Sequence, residues 1–259
     1  MMAIHALHRF RGAISILIVM GVWQIVFLLG LAPEKYFPSI FTVAASFADM
    51  LQNGDLAKAE FLTFTRALIG LVAAALLGIL LAIISDLSPV LGRGIRYISD
   101  ILQPIPPAAL VPMAIFALGL GYKLYAFVII LVTVWPPYMN GVAALSSVSP
   151  VQVNTGRMFG CSRWDLLWRI KLPAAMPEIF TGIRYAATIS LIAVIVSEML
   201  AGRDGIGFMI FKKAFALRTA DVFALMFVVA VSGVMLNGFT NMLRRFVTGW
   251  HIRMMERTE

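Results

Sequence analysis

From residue 13 to residue 31 the chain carries no charged side chain, and comparably apolar runs recur at 61–85, 101–122, 124–145, 176–200 and 222–243. A helix that crosses the hydrocarbon core of a bilayer needs about 20 mostly apolar residues. Backbone polar groups in lipid must also find their hydrogen bonds internally, which leaves helices for segments of this kind. The expected fold is therefore an all-α membrane protein with six transmembrane helices in one domain spanning residues 1–259. Composition agrees, since 61% of the residues are hydrophobic and 13% charged, about half the charge of an ordinary soluble domain. The first run exceeds the usual signal-peptide core of about 7–15 residues and no A-x-A site follows it, so it reads as a retained span. Residues 33–60 are too polar to cross, although 41–51 suit a short interfacial helix.

Prolines break the pattern twice. The third run holds Pro104, Pro106, Pro107 and Pro112, and the fourth is interrupted by Trp135-Pro136-Pro137. Irregular backbone at membrane depth survives only where protein or a water-filled cavity satisfies it. Pro104, Pro106 and Pro107 are thus candidates for lining a passage, joined by Thr188, Ser190, Ser197 and Glu198 of the fifth run. The hydroxyls have an alternative use in helix–helix hydrogen bonds, worth about 0.6 kcal/mol on average. Glu198, like Glu178 and Arg184, has an alternative as a paired or snorkelling anchor near a span end. Gly70 and Gly78 on the second run read as packing positions.

The net charge of +8 comes from 21 basic and 13 acidic residues. In a membrane chain such an excess holds loops against anionic lipid, so membrane lipid is an expected partner and nucleic acid is not. With the N-terminus inside, the inner flanks collect the larger share of Lys and Arg, including Arg9, Arg11, Arg93, Arg96, Arg253 and Arg257. Both termini are then cytoplasmic. The outer loop 203–221 runs against this rule, with Lys212, Lys213 and Arg218 close together. Cys161 has no cysteine to pair with, no G-x-x-x-x-G-K-[ST] phosphate loop occurs, and His5, His8 and His251 fall outside every span. Neither an enzyme nor a bound cofactor or metal is expected. A stand-alone secondary transporter or channel stays open as an alternative, although no acid or histidine sits centrally in a span to carry a coupling ion. Co-purification with an ATPase separates the two readings.

Residues 149–172, between the fourth and fifth runs, form the most structured polar piece. Ser149, Pro150 and Gln152 predict a capped helix start, and Gly160 a left-handed stop after Phe159. Ser162 then caps a second helix, with Asp165 three residues on and Arg169 four beyond that, and Pro173 limits it. Trp164, Leu167 and Trp168 fall at i, i+3 and i+4, predicting one apolar face flanked by Arg163 and Arg169. On pattern alone this could be a helix lying flat on the inner leaflet.

The string itself is more specific. Gly160, followed ten residues later by Ile170-Lys171-Leu172-Pro173, resembles the cytoplasmic loop motif of permease subunits in binding-protein-dependent ABC importers, written EAA, three residues, Gly, nine residues, I-x-L-P. Gln103-Pro104-Ile105-Pro106-Pro107, Trp135-Pro136, Ser197-Glu198-Met199-Leu200 and the run from Asp204-Gly205-Ile206-Gly207 to Ile210 are similar to the taurine, sulfonate and nitrate branch, and the likeness covers about residues 37–245. The resemblance implies a type I importer permease in a bacterial inner membrane, dimerised with itself or a paralogue. It also implies two ATP-binding subunits inside and an extracytoplasmic substrate-binding protein. The cargo it implies is a small polar or anionic solute such as a sulfonate, taurine or nitrate; related importers carry heterocyclic vitamin precursors. Carried onto this chain, the ATPase-coupling residues are Asn154, Arg157, Phe159, Gly160, Ser162, Arg163, Trp164, Leu167, Trp168, Leu172 and Pro173. One departure stands out: Asn154-Thr155-Gly156 occupies the place of Glu-Ala-Ala, whose glutamate contacts the ATPase in the family.

Overall fold

The structure is a computed structural model that describes residues 2–255, with side chains from 14 to 248. The side chains of His5, His8, His251, Arg9, Arg11, Arg253 and Arg257 lie outside the described set. In chain order the helices are α1 (Met2–Leu28), α2 (Ile40–Gln52), α3 (Asp55–Leu87), α4 (Pro89–Leu102), α5 (Pro107–Leu118), α6 (Tyr122–Thr133), α7 (Trp135–Ser147) and α8 (Pro150–Met158). A short α9 (Arg163–Asp165) and a π-helical stretch (Leu166–Lys171) lead into α10 (Leu172–Ala201), followed by α11 (Ile206–Phe215) and α12 (Thr219–Met255). No strand occurs among the described residues.

Among the described residues four stretches are long and apolar enough to cross a bilayer: Asp55–Leu87, Tyr122–Ser147, Arg163–Ala201 and Thr219–Thr248. α4 and α5 pass that test only together, and they are bent by 102°. Ile14–Leu28 is a shorter apolar helix. The run expected at 101–122 is thus divided into the end of α4, a proline turn and α5, whose 12 residues extend about 18 Å. Proline chemistry explains the break, because Pro104 and Pro106 supply no N–H and Pro106 is extended at φ −64°, ψ 139°. The double proline after Trp135 has a milder effect. Val134 keeps helical dihedrals, so Pro136 and Pro137 open α7 where a missing N–H costs little. The Asn140 side-chain amide donates to the Pro136 carbonyl at 2.9 Å.

α3, α7 and α10 form the centre of the bundle, with α5 and α6 against them and Ala67, Ala74, Val111, Val128, Tyr138, Ile179 and Ala187 in a common core. Small residues allow this approach. A Cβ on Gly78 would stand 2.7 Å from the Val134 carbonyl oxygen, and one on Gly182 2.6 Å from that of Pro136, so either methyl would push two helices apart. A second cluster, with Met50, Leu56, Ile206, Leu225 and Val228, joins α2, α3, α11 and α12. α2 covers the interfacial helix expected at 41–51, and Ser39 caps it by accepting the Thr42 N–H at 3.1 Å.

Candidate functional site

The loop between α7 and α10 carries an exposed, braced knuckle. α8 ends at Met158, and Gly160 takes φ +77°, the left-handed turn expected there. Ser162 begins the next helix with a complete capping box: its Oγ accepts the Asp165 N–H at 3.2 Å and the Asp165 carboxylate accepts the Ser162 N–H at 3.3 Å. Arg169 Nε lies 3.3 Å from Asp165. The Ser149 box is absent; Ser149 makes no side-chain cap bond, and α8 starts from Pro150 alone.

Beyond Asp165 the expectation of a short helix stopped by Pro173 fails. The chain runs as one helical stretch from Arg163 to Ala201. Its π turns place the Leu172 N–H on the Leu167 carbonyl, five residues back. A wider turn ahead of Pro173 relieves the clash between a proline ring and the carbonyl four residues earlier. The same widening rotates Leu167 out of register with the tryptophans. Leu167 is 1% exposed and faces the core, whereas Trp164 and Trp168 are 59% and 55% exposed. The expected three-residue apolar face is therefore two indoles outside and one anchor inside, with Leu166 also buried.

Phe159 and Met158 extend the apolar surface of the knuckle, while Asn154, Arg157 and Arg163 are exposed beside it. Leu172 and Pro173 are half-buried where the stretch enters the bundle. Gly156, within the departure from the family pattern, is buried under the π stretch: a Cβ there would stand 2.5 Å from Ile170 Cδ1 and 2.7 Å from Leu166 Cδ2. α8 therefore rests closely on the π stretch. Lys171 Nζ pairs with Asp86 at 2.6 and 2.9 Å, tying the knuckle to the end of α3. A cavity of about 360 Å³ opens between them, lined by Asp86, Val153, Arg157, Arg163, Leu166 and Lys171.

Hydrogen bonds from Ser162 hold the Asp165 carboxyl below its ordinary value of 3.8, with Arg169 adding to the effect. A depressed folded-state pKa contributes stability above the unfolded pKa that is lost as pH falls through the folded one. The cap is therefore expected to be fully engaged at pH 5–8 and to loosen only below about pH 4. Ser162→Ala should remove it at every pH, at about 1 kcal/mol, read as faster amide exchange over residues 163–168.

At the far end of α10, about 40 Å along the helix, lies the cluster that reasoning from sequence left unassembled. Arg66 Nη1 meets Glu198 Oε1 at 2.7 Å, and its Nη2 meets Asp204 at 2.6 Å. Glu198 Oε2 accepts Thr63 Oγ1 at 2.8 Å and the Gly207 N–H at 3.0 Å, and the Ile206 N–H donates to Thr63 at 2.8 Å. The guanidinium stands 4.4 Å from the Tyr125 ring centre. Gly205 and Gly207 leave room only for the Glu198 side chain and the α10 backbone, which is what the Asp204-Gly205-Ile206-Gly207 string accomplishes. A signal was available: Arg66 and Glu198 each lie near an end of a mostly apolar run, which makes them natural partners. Nearby, Lys213 and Arg218 pair with Asp221 at 2.7 and 2.8 Å, and Ser46 donates to the same carboxylate. Two of the cations that ran against the orientation rule thus share one carboxylate, which offsets one of their two charges.

The passage candidates divide. Ser190 and Ser197 are fully buried and donate to the Ala187 and Ala193 carbonyls of their own helix at 2.9 and 2.7 Å. Glu198 is fully buried in the ion cluster. Thr188, Pro104 and Pro106 are exposed, and Pro107 is half-buried.

A bundle of bilayer-length apolar helices with an exposed aromatic knuckle at one end defines a multi-helix membrane protein. The family model for the binding-protein-dependent transport system inner membrane component matches residues 74–249, and the chain belongs to that family. It is 30% identical over 221 residues to the taurine transport system permease protein TauC of Escherichia coli strain K12, covering 85% of this chain and 79% of TauC. It is likewise 30% identical over 246 residues to the nitrate import permease protein NrtB of Synechocystis sp. strain ATCC 27184, covering 92% and 88%. Among solved structures, the inward-facing MetNI methionine ABC transporter has the same fold, with a TM-score of 0.68 at 13% identity over 76% of this chain and 98% of that one. The protein is an inner-membrane permease component of an ABC importer. It is not an enzyme: ATP hydrolysis falls to a separate subunit, a substrate-binding protein delivers the cargo, and the stand-alone carrier drops out.

Proposed function

We propose that two permease chains, identical or paralogous, enclose one pathway and that each presents residues 149–172 to one of two ATP-binding subunits. The observation that carries this reading is the unbroken helical stretch from Arg163 to Ala201. Force applied at Trp164 and Trp168 is delivered along one helical stretch to the ion cluster at its other end, with the π turns and the interior Pro177 as its softest points. Closure of the ATPases brings the two knuckles together and turns the pathway outward; release reverses it. Asn154 offers a neutral amide where the family has a glutamate, so Arg157 and Arg163 take over the polar contacts, calling for acceptor groups on the ATPase. The chain crosses the membrane six times, with α1 and the 101–122 run, made of the proline turn and α5, completing the spans and both termini cytoplasmic. Thr188 and the break at Pro104, Pro106 and Pro107 line the pathway, and Ser190, Ser197 and Glu198 hold its wall together.

The cargo is a small polar or anionic solute. Support comes from the two relatives, whose names specify taurine and nitrate import. The test is reconstitution of the permease with its ATPase and binding protein in vesicles, offering taurine, an alkanesulfonate and nitrate. ATP-dependent uptake of one of them that stops when the ATPase is omitted is the expected result. Uptake by the permease alone, driven by an ion gradient, would end this reading.

A further inference from the structure

The segment joining α3 to α5 is a helix with three distinct edges. Along α4 one edge, with Ser99, Ile95 and Leu102, packs on the bundle. A second edge is apolar yet exposed: Val90, Leu91, Tyr97, Ile98 and Ile101, with Tyr97 71% exposed. Arg93, Arg96 and Asp100 form the third edge, and neither arginine has an ion-pair partner among the described residues. Position and direction are fixed independently. The Asp86–Lys171 pair holds the end of α3, and so the start of α4 at Pro89, on the face that carries the knuckle. The 102° bend to α5 then lays α4 across the direction in which α5 enters the bundle.

From this placement we infer that α4 lies in the inner-leaflet interface as an anionic-lipid contact, with Val90, Tyr97 and Ile101 at the acyl boundary and Arg93 and Arg96 on lipid phosphates. An exposed apolar stripe beside a basic edge is the pattern that binds such a surface. Each arginine near an anionic leaflet favours it by about 5-fold. Asp100 on the same edge opposes part of that attraction. The inference rests on the knuckle facing the cytoplasm, as proposed above.

The experiment uses the full chain with its ATPase in phosphatidylcholine vesicles, with and without phosphatidylglycerol. A fluorophore is attached through Ile98→Cys in a Cys161→Ser background. Quenching by lipids carrying a nitroxide near the headgroup, together with shielding from aqueous iodide, is the expected result. The double variant R93E/R96E is expected to retain at least about 25-fold less phosphatidylglycerol after purification, since charge reversal adds repulsion to the two lost attractions. A label open to iodide would overturn the inference, as would one shielded from both quenchers and cross-linking to a second copy, or unchanged lipid retention in the double variant. If the double variant does not insert, Arg93→Gln and Arg96→Gln singly give the retention measurement. Loss of the ATPase from the preparation would count against the docking proposal instead, so the two failures are distinguishable.

Discussion

Arg66→Ala is expected to destabilise the inserted chain by about 3–5 kcal/mol, because it leaves the Glu198 carboxylate buried without its countercharge. Glu198 has no exposed surface and Arg66 is itself buried, and among the described residues no other cation stands on the Glu198 carboxylate to replace the lost partner. Asp204, half exposed, can turn outward and contributes less to the loss. Thr63 and the Gly207 N–H still reach the carboxylate, yet two neutral donors do not balance a full charge. Thermal unfolding in detergent, followed by the amount of folded protein in membranes, measures the effect. Restoring the balance by combining Arg66→Met with Glu198→Gln should recover most of the stability, since a buried pair replaced as a unit often costs little. If Arg66→Ala unfolds at the wild-type temperature, the cluster is not what holds α3, α10 and α11 together.

Trp164→Ala is expected to weaken ATPase binding by about 2 kcal/mol, close to 30-fold in Kd. Removing Trp168 as well should leave no stable complex. Both indoles are more than half exposed in the free chain, so their loss disturbs folding little, and insertion levels should stay at wild type. Uptake and ATP hydrolysis should separate, with hydrolysis no longer stimulated by loaded binding protein. Leu167→Ala is the informative contrast. Its side chain faces the core, so it should lower stability by about 2–5 kcal/mol before it touches docking. Wild-type affinity in the Trp164 variant would remove the knuckle from the mechanism.

The same two sites show how far residue patterns reach. The Ser162–Asp165 box, the left-handed Gly160 and the Asp165–Arg169 pair all link residues within a few positions, and each was readable from spacing alone. The phase of Trp164, Leu167 and Trp168 was not. Ideal helical spacing assigns them one face, but the π turns that accommodate Pro173 alter the rotation per residue. Likewise, four prolines between 101 and 122 announce an irregular segment, whereas the sharp bend that makes α4 a separate helix depends on the packing of Ser99, Ile95 and Leu102.

By itself the order of residues determined that this chain enters a bilayer, that it does so as helices, and that its polar knuckle is capped and stiff. Those properties follow from the length of apolar runs and from hydrogen bonds between near neighbours, which any fold of this sequence would keep. Only the tertiary structure decided that Arg66 reaches Glu198 across 132 positions, that Leu167 turns inward, and that the knuckle and α10 form one helical stretch. Such outcomes depend on which helix faces meet. A buried charge takes whatever partner the packed bundle brings within reach, and no spacing along the chain encodes that distance.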